Sequence, residues 1–159
     1  MKKILGLMIV TIIILVTSIT YAKDEYKDCT VTRIVDGDTF ICDKIKIRIA
    51  WINAPELKKK GKKAEAYANE AKKYLSKLIK DKQVSIQIIG KDKYKRTLAY
   101  VDYYPTKSDS DYIDISQEML MKGMAKSYTD FPNIEDSDKE ILLNLEKEAK
   151  KNKVWLWSK

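Results

Sequence analysis

The fold is decided by residues 30–52, which read TVTRIVDGDTFICDKIKIRIAWI. Polar and apolar residues alternate from Thr30 to Val35, as they do in a half-buried β-strand. Asp36-Gly37 is a hairpin-turn signal, and Thr39 to Cys42 returns as a second strand. A third alternating run extends from Ile45 to Ile52. We therefore predict a meander of three short antiparallel strands.

The rest of the chain adds a helix, a second hairpin and two more helices, after Ala54-Pro55 ends the third strand. Five strands with a helix inserted after the third predict an α+β protein with a mainly β core. The specific expectation is a five-stranded OB-fold Greek-key barrel with three helices. The predicted elements are a helix over Ala64 to Ile79, strands over Val84 to Ile89 and Thr97 to Tyr103, a short helix over Ile115 to Lys122 ended by Gly123, and a helix over Asp136 to Lys151.

The N-terminus has the pattern of a secretory signal peptide. Met1-Lys2-Lys3 precedes an uncharged stretch from Ile4 to Ala22, and Thr20 and Ala22 supply small residues at the two positions that a signal peptidase reads. An uncleaved N-terminal anchor is the alternative, because the stretch approaches the length of a membrane span. We expect a signal peptide or anchor over 1–22, a flexible lead-in over 23–27, and one domain over 23–159. The expected location is secreted, extracellular or periplasmic, or membrane-anchored if the segment is retained.

Charge and residue types narrow the chemistry. The net charge of +8 falls to +6 without residues 1–22, which contain two lysines and no acidic residue. A basic surface attracts polyanions such as nucleic acid or anionic membrane. The chain has no histidine, which excludes a histidine base and histidine-ligated zinc. Cys29 and Cys42 flank the Asp36-Gly37 turn, and a disulfide between them is a hypothesis.

Carboxylates and arginines cluster in three short segments. Asp36 to Phe40 supplies acidic oxygens, Arg48 to Glu56 adds a guanidinium and a further acid, and Asp92 to Arg96 adds a second arginine. These groups can hold a hard cation against a phosphate. In a basic protein they indicate phosphodiester chemistry.

These segments, with Gly123 to Lys126 and Ala149 to Trp155, together resemble the staphylococcal nuclease-like family of thermonucleases. The resemblance extends from about Cys29 to Trp157. It implies an OB-fold barrel with three helices and a calcium-dependent nuclease that acts on DNA and RNA.

The resemblance assigns catalytic roles to Arg48, Glu56 and Arg96. The two arginines match those that grip the phosphate, because planar guanidinium groups can each donate two hydrogen bonds to the transition state. Glu56 matches the carboxylate that orients or deprotonates the attacking water.

The same resemblance implies metal ligands at Asp38, Asn53 and Ala54. Asp38 matches a direct carboxylate ligand of Ca²⁺. Asn53 stands where the family often has a second aspartate, so one negative charge is lost and weaker calcium binding is expected. Ala54 stands in place of a threonine that contributes its backbone carbonyl, which any residue retains.

Substrate contacts are implied for Lys93, Tyr94 and Tyr128, the last as a base-stacking tyrosine. Lys95 replaces a glycine before Arg96, so we expect the turn that presents Arg96 to be altered.

The leading hypothesis is a secreted Ca²⁺-dependent endonuclease, a phosphodiesterase that hydrolyses DNA and RNA to 3′-phosphate products. The alternative is an OB-fold nucleic-acid-binding module with weak or no catalysis, motivated by Asn53 and Lys95. A third hypothesis is a membrane-tethered basic interaction protein. We expect a monomer without an obligate protein partner, and membrane contact only if the N-terminal segment is retained.

Overall fold

The computed structural model describes residues 26–58, 61, 63–106, 111–130 and 134–158. The predicted signal peptide or anchor lies outside these residues. Within them, no helix is both long enough and apolar enough to cross a membrane.

The core is a closed five-stranded barrel. Its strands are β1 (Tyr26–Ile34), β2 (Thr39–Cys42), β3 (Ile45–Ile49), β5 (Gln83–Lys91) and β6 (Thr97–Tyr103). Neighbouring strands pair antiparallel in the order β3-β2-β1-β5-β6, and a parallel pairing of β3 with β6 closes the barrel. The predicted meander and OB-type barrel are confirmed.

Three two-residue strands extend this framework. The strand β7 (Ile113–Asp114) pairs with β6, whereas β4 (Ile52–Asn53) pairs with β8 (Lys126–Ser127) in a separate two-stranded sheet. The β4–β8 pair joins the segment that follows β3 to Lys126 and Ser127, which lie much later in the chain. This pairing positions Asn53.

The described residues form three helices, namely α1 (Ala68–Ile79), α2 (Ile115–Met121) and α3 (Asp136–Lys151), and a 3₁₀ turn (Trp155–Trp157) follows. Helix α1 contacts β1, α2 contacts β6, and α3 packs on α2 and β8. The carboxylate of Asp114 caps α2 by accepting from the amide of Gln117 at 3.0 Å. Gly123 ends α2 with φ +63°, and a Cβ there would lie 2.6 Å from the carbonyl oxygen of Val154. Only glycine allows the C-terminal segment to pack this closely on the end of α2.

A disulfide joins Cys29 and Cys42, whose Cα atoms are 5.7 Å apart. Both residues are buried in the barrel core beside Val31 and Phe40. The hypothesised pairing is therefore present, and it fixes β1 to the end of β2 that lies away from Asp38.

Several predicted boundaries differ from the structure by one or two residues, as in β5, which is Gln83–Lys91 rather than Val84 to Ile89, and three differ for identifiable physical reasons. The third strand does not continue to Ile52, because Trp51 adopts a left-handed φ of 58° and redirects the chain into β4. The first helix begins at Ala68 rather than Ala64. Upstream of it, the amide of Glu65 donates to the carbonyl of Glu56 at 2.9 Å, so a tertiary contact replaces the first helical turn. The flexible lead-in predicted over 23–27 was also wrong for Tyr26 and Lys27. These two residues belong to β1, because they pair with Gln87 and Ile86 of β5.

Candidate active site

Asp38 lies at the end of the tight turn that joins β1 to β2, and it is only 6% exposed. The turn is closed by the amide of Val35, which donates to the carbonyl of Thr39 at 2.9 Å. Gly37 permits close packing here, since a Cβ would lie 2.6 Å from that of Ala54 and 2.8 Å from that of Ala71. A larger residue at position 37 would separate the turn from α1 and from the segment after β4.

The Asp38 carboxylate is surrounded by donors. Its Oδ1 accepts from the Thr39 hydroxyl at 2.9 Å, and its Oδ2 accepts from the Ala54 amide at 2.9 Å and lies 3.2 Å from Nη2 of Arg48. Burial raises the pKa of Asp38 above its usual value, and the charge of Arg48 offsets only part of this shift. A carboxylate held in this way gains from a nearby cation.

Arg48 is buried on β3 at 4% exposure. Its Nη1 donates to the carbonyl of Ile49 at 2.8 Å, and its Nη2 donates to that of Ile52 at 2.7 Å. The Nη2 atom also lies 3.3 Å from Oδ1 of Asn53. The two short bonds to main-chain carbonyls fix the guanidinium, and the longer contacts lie on the side of Asp38 and Asn53.

Arg96 is held from a different part of the chain. Its Nε donates to Oδ2 of Asp92 at 2.6 Å, and its main-chain amide donates to Oδ1 of Asp92 at 2.9 Å. Burial opposes ionisation of Asp92, but the bonds from Arg96 and from the Tyr94 amide hold its pKa below the usual value. The Asp92 carboxylate therefore fixes both the main chain and the side chain of Arg96.

Thr39 connects the two arginines. Its hydroxyl accepts from Nη1 of Arg96 at 3.3 Å and donates to Oδ1 of Asp38, which contacts Arg48. Thr39 also pairs with Arg48 across β2 and β3, and Leu98 of β6 pairs with Arg48 on its other side. Barrel closure thus links the two predicted arginines through the Thr39 hydroxyl and the Asp38 carboxylate.

Asn53 and Ala54 lie beside Asp38, as the ligand hypothesis requires. Asn53 is exposed, and its amide oxygen shares the Arg48 guanidinium with Asp38. Carboxylate, amide and main-chain oxygens are the ligand types that Ca²⁺ prefers, so the donor types fit this cation. In the part of the chain that the structure describes, no group of three or more acidic or cysteine residues could hold a metal ion.

Glu56 is half-buried and lies two residues beyond Ala54. Its main-chain amide donates to Oε2 of Glu65 at 3.1 Å, and its carbonyl accepts from the Glu65 amide. This two-point contact with the segment that precedes α1 fixes the backbone at the predicted base.

The turn that carries Arg96 also presents Lys93 and Tyr94. The Tyr94 ring is 69% exposed and lies 5.3 Å from Nζ of Lys93 and 5.5 Å from Cζ of Arg96. Lys95 adopts a left-handed φ of 62°, the conformation a glycine would supply, and its amide donates to the Asp92 carbonyl at 2.9 Å. Lys95 therefore adopts a conformation that is strained for a residue with a side chain, and the expectation that the turn is altered stays a prediction.

Tyr128 follows β8 and is 38% exposed, and its amide donates to the carbonyl of Trp51 at 2.7 Å. The buried Glu146 of α3 accepts from the amide of Ser127 at 3.0 Å and from its hydroxyl. These contacts hold Tyr128 next to the strand pair that carries Asn53.

The family model described as staphylococcal nuclease homologue matches residues 46–159. The chain belongs to the staphylococcal nuclease homologue family. The matched region contains Arg48, Glu56 and Arg96, together with the segments that form the barrel closure.

Named relatives agree with this membership. An "Uncharacterized endonuclease" of Haemophilus influenzae is 32% identical over 157 residues, which is 96% of this chain and 78% of that protein. A "Probable endonuclease" of Schizosaccharomyces pombe is 39% identical over 117 residues, covering 73% of this chain and 51% of the relative. A further "Probable endonuclease" of Komagataella phaffii is 33% identical over 114 residues, covering 71% and 49%. The chain thus spans about half the length of these fungal relatives.

Sequence reasoning missed three residues of this nuclease-family site. Thr39 and Asp92 were recognised only as parts of motifs, and Glu65 received no role. The cross-strand register would have identified Thr39, because it lies opposite Arg48. The four-residue spacing from Asp92 to Arg96 was a local signal for their contact, whereas nothing in the sequence indicated the contact of Glu65 with Glu56.

Proposed function

We propose that this protein is a Ca²⁺-dependent endonuclease that hydrolyses DNA and RNA to products ending in 3′-phosphate, and that it acts outside the cytoplasm. Membership of the staphylococcal nuclease homologue family and the names of the relatives support the nuclease activity. The calcium requirement, the product type and the location extend that assignment.

One structural observation carries the proposal. The bonds from Arg96 to Thr39, Thr39 to Asp38 and Asp38 to Arg48 bring two guanidinium groups and a buried carboxylate together at one end of the barrel. Two arginines provide charge and directed donors for the negative oxygens of a phosphoryl transition state.

Arg48, Arg96 and Glu56 have separate roles in the proposed reaction. Arg48 exchanges its longer contacts with Asp38 and Asn53 for phosphate oxygens and keeps its bonds to the Ile49 and Ile52 carbonyls. Arg96 donates to the same phosphate while Asp92 holds it. Glu56 orients the attacking water and accepts its proton, because the chain has no histidine to do so.

Asp38, Asn53 and the carbonyl of Ala54 would hold the calcium ion. When bound, Ca²⁺ supplies a positive charge that polarises the phosphate and stabilises the transition state. Lys93, Tyr94 and Tyr128 contact the nucleic acid around the scissile phosphate, Lys93 through charge and the tyrosines through stacking.

A Ca²⁺ titration of cleavage, with EDTA as the metal-free arm, tests this proposal on the full chain. The substrates are single-stranded DNA and RNA, and phosphatase sensitivity of the cleaved 3′ ends identifies the product type. Absence of cleavage at millimolar Ca²⁺ would contradict the proposal. Strand binding that persists in EDTA, without products, would favour the alternative of a binding module.

The variant Asn53→Asp sharpens the metal assignment. Restoring a carboxylate is expected to lower the Ca²⁺ concentration at half-maximal cleavage by about tenfold, because ligand charge tunes calcium affinity. Asn69→Asp, on α1, is the matched control for the added charge. An unchanged calcium requirement in Asn53→Asp would remove Asn53 from the proposed ligands.

A further inference from the structure

A second concave surface, which we call the acidic cleft, lies on the barrel beside β7 and α3. Its volume is about 650 Å³, and its lining includes residues of β1, β5, β6, β7, α2 and α3. Small-molecule sites have volumes of roughly 300 to 1,000 Å³. None of Asp38, Arg48, Glu56 and Arg96 lines the cleft, so it is separate from the proposed active site.

The charge of the cleft is opposite to that of the protein. Asp102, Asp114, Glu135 and Asp138 line it, and its described lining contains no lysine or arginine, although the whole chain carries +8. Asp102 and Asp114 lie directly opposite each other in the β6–β7 pairing. Like charges in this arrangement are destabilising, so the cleft favours a cation.

The pKa of Asp102 agrees with this crowding. Burial raises it to about 6, and the charge of Asp114 contributes to the shift. A positive group placed between the two carboxylates would favour their ionised forms.

Aromatic side chains form the other walls. Tyr26 and Tyr112 line the cleft and are 50% and 56% exposed, so their rings are accessible. Trp51 and Tyr100 form a packed edge-to-face pair whose ring centroids are 3.8 Å apart. Aromatic faces beside carboxylates suit an ammonium or guanidinium group on an apolar stem.

Trp51 indicates independently that the ligand carries a hydrogen-bond acceptor. It lines the cleft and is 3% exposed, and its indole Nε1–H has no hydrogen-bond partner among the described residues. A buried donor without an acceptor is unfavourable, and the large majority of such groups in proteins are satisfied. A simple cation would not satisfy this donor, whereas a ligand that also carries an oxygen acceptor would.

We propose that the acidic cleft binds a lysine or arginine residue in peptide linkage. The cationic head lies among the carboxylates, and the methylene stem lies against the aromatic walls. The Nε1 atom of Trp51 is enclosed in this structure, so a rotation of the wall side chains uncovers it and lets a peptide carbonyl oxygen accept from it. Nucleic acid does not fit this surface, because its phosphates would be repelled by the four acids. The cleft is therefore a site for a basic peptide segment, independent of nuclease activity.

Titration of Nα-acetyl-lysine methylamide into the full-length, ¹⁵N-labelled protein tests the proposal without nucleic acid. Saturable binding is expected to move the indole resonance of Trp51 downfield; assignment uses Trp155→Phe and Trp157→Phe. Nα-acetyl-norleucine methylamide lacks the charge, and pentan-1-amine keeps a single ammonium group but lacks the carbonyl. Both are expected to bind at least about fivefold more weakly. No binding of the lysine derivative, or equal binding of either comparison compound, would overturn the proposal.

Two aspartates in the first turn of α3 provide a matched pair of variants. Asp138→Asn removes a charge that lines the cleft, and Asp136→Asn removes one that does not. We expect Asp138→Asn to weaken binding about fivefold and Asp136→Asn to leave it unchanged. Both variants should cleave nucleic acid like the parent chain, so this outcome is separable from the proposed nuclease function. Equal weakening in the two variants would show a general charge effect and contradict the cleft assignment.

Discussion

The two arginines of the proposed active site are held in contrasting ways. Arg48 is 4% exposed and is bound by main-chain carbonyls of the barrel, whereas the Arg96 side chain is 20% exposed and depends on Asp92 within a five-residue turn. The barrel therefore fixes one guanidinium and a local carboxylate fixes the other. We therefore expect replacement of Arg48 to lower the stability of the fold. Changes in the Asp92–Arg96 turn should instead alter the position of the Arg96 guanidinium.

Loss of charge at Arg48 should have the largest effect. Arg48→Met is expected to reduce the free energy of unfolding by about 3 to 5 kcal/mol, because it leaves Asp38 as a buried charge without its partner. Arg96→Met should reduce it by about 1 kcal/mol, because the Arg96 side chain is partly exposed and Asp92 keeps its bonds from the main-chain amides of Tyr94 and Arg96. Urea unfolding followed by tryptophan fluorescence measures both.

A double variant tests whether the unpaired Asp38 carboxylate causes the stability loss of Arg48→Met. If the uncompensated carboxylate is responsible, Arg48→Met with Asp38→Asn should be more stable than Arg48→Met alone. Additive losses in the double variant would show that the two side chains act independently and would remove this part of the comparison.

The turn should affect catalysis more than stability. Asp92→Asn is expected to lower the cleavage rate by about 100-fold, since a guanidinium displaced by even 1 Å loses its alignment with the phosphate. Asp81→Asn, at an exposed turn, is the surface control and should retain full activity. Normal cleavage by Asp92→Asn would show that Arg96 is oriented by Thr39 alone.

Acid pH should reduce the stability difference between the parent chain and Asp92→Asn. Bonds from Arg96 depress the folded-state pKa of Asp92, so its stabilisation is present above the unfolded-state pKa of about 4 and is lost as pH falls through the lower folded value. Urea midpoints at about pH 7, 5 and 3 measure this change. A difference that stays constant down to the lowest pH would contradict the role of the ionised carboxylate.

The smallest effect is expected at Lys95. Lys95→Gly should raise the free energy of unfolding by about 0.5 kcal/mol, since glycine adopts a left-handed φ without strain but loses more conformational entropy on folding. Lys93→Gly is the matched control. Lys93 has no positive φ, so this variant should have a lower free energy of unfolding than the parent chain. A loss of stability in Lys95→Gly would show that the lysine side chain stabilises the turn.

Most of the barrel could be predicted because its signals are local. Alternating residues on either side of Asp36-Gly37 specify strands and a turn, and the structure contains both. The predicted boundaries were wrong where distant contacts competed with local pattern, as at Trp51 and at the start of α1. The chemical types of the site residues were equally readable, but the roles assigned to them stay predictions.

By itself, the sequence determined the meander, the supply of carboxylates and arginines, and the absence of a histidine base. These properties depend on residue type and on neighbours a few positions away. Only the tertiary structure decided which groups meet, because the contact between Thr39 and Arg96 joins residues 57 positions apart. The tertiary structure also placed Asp102 opposite Asp114 in the β6–β7 pairing. In addition, it placed Trp51 in the wall of the acidic cleft. Such contacts follow from strand register and barrel closure, which no local pattern encodes.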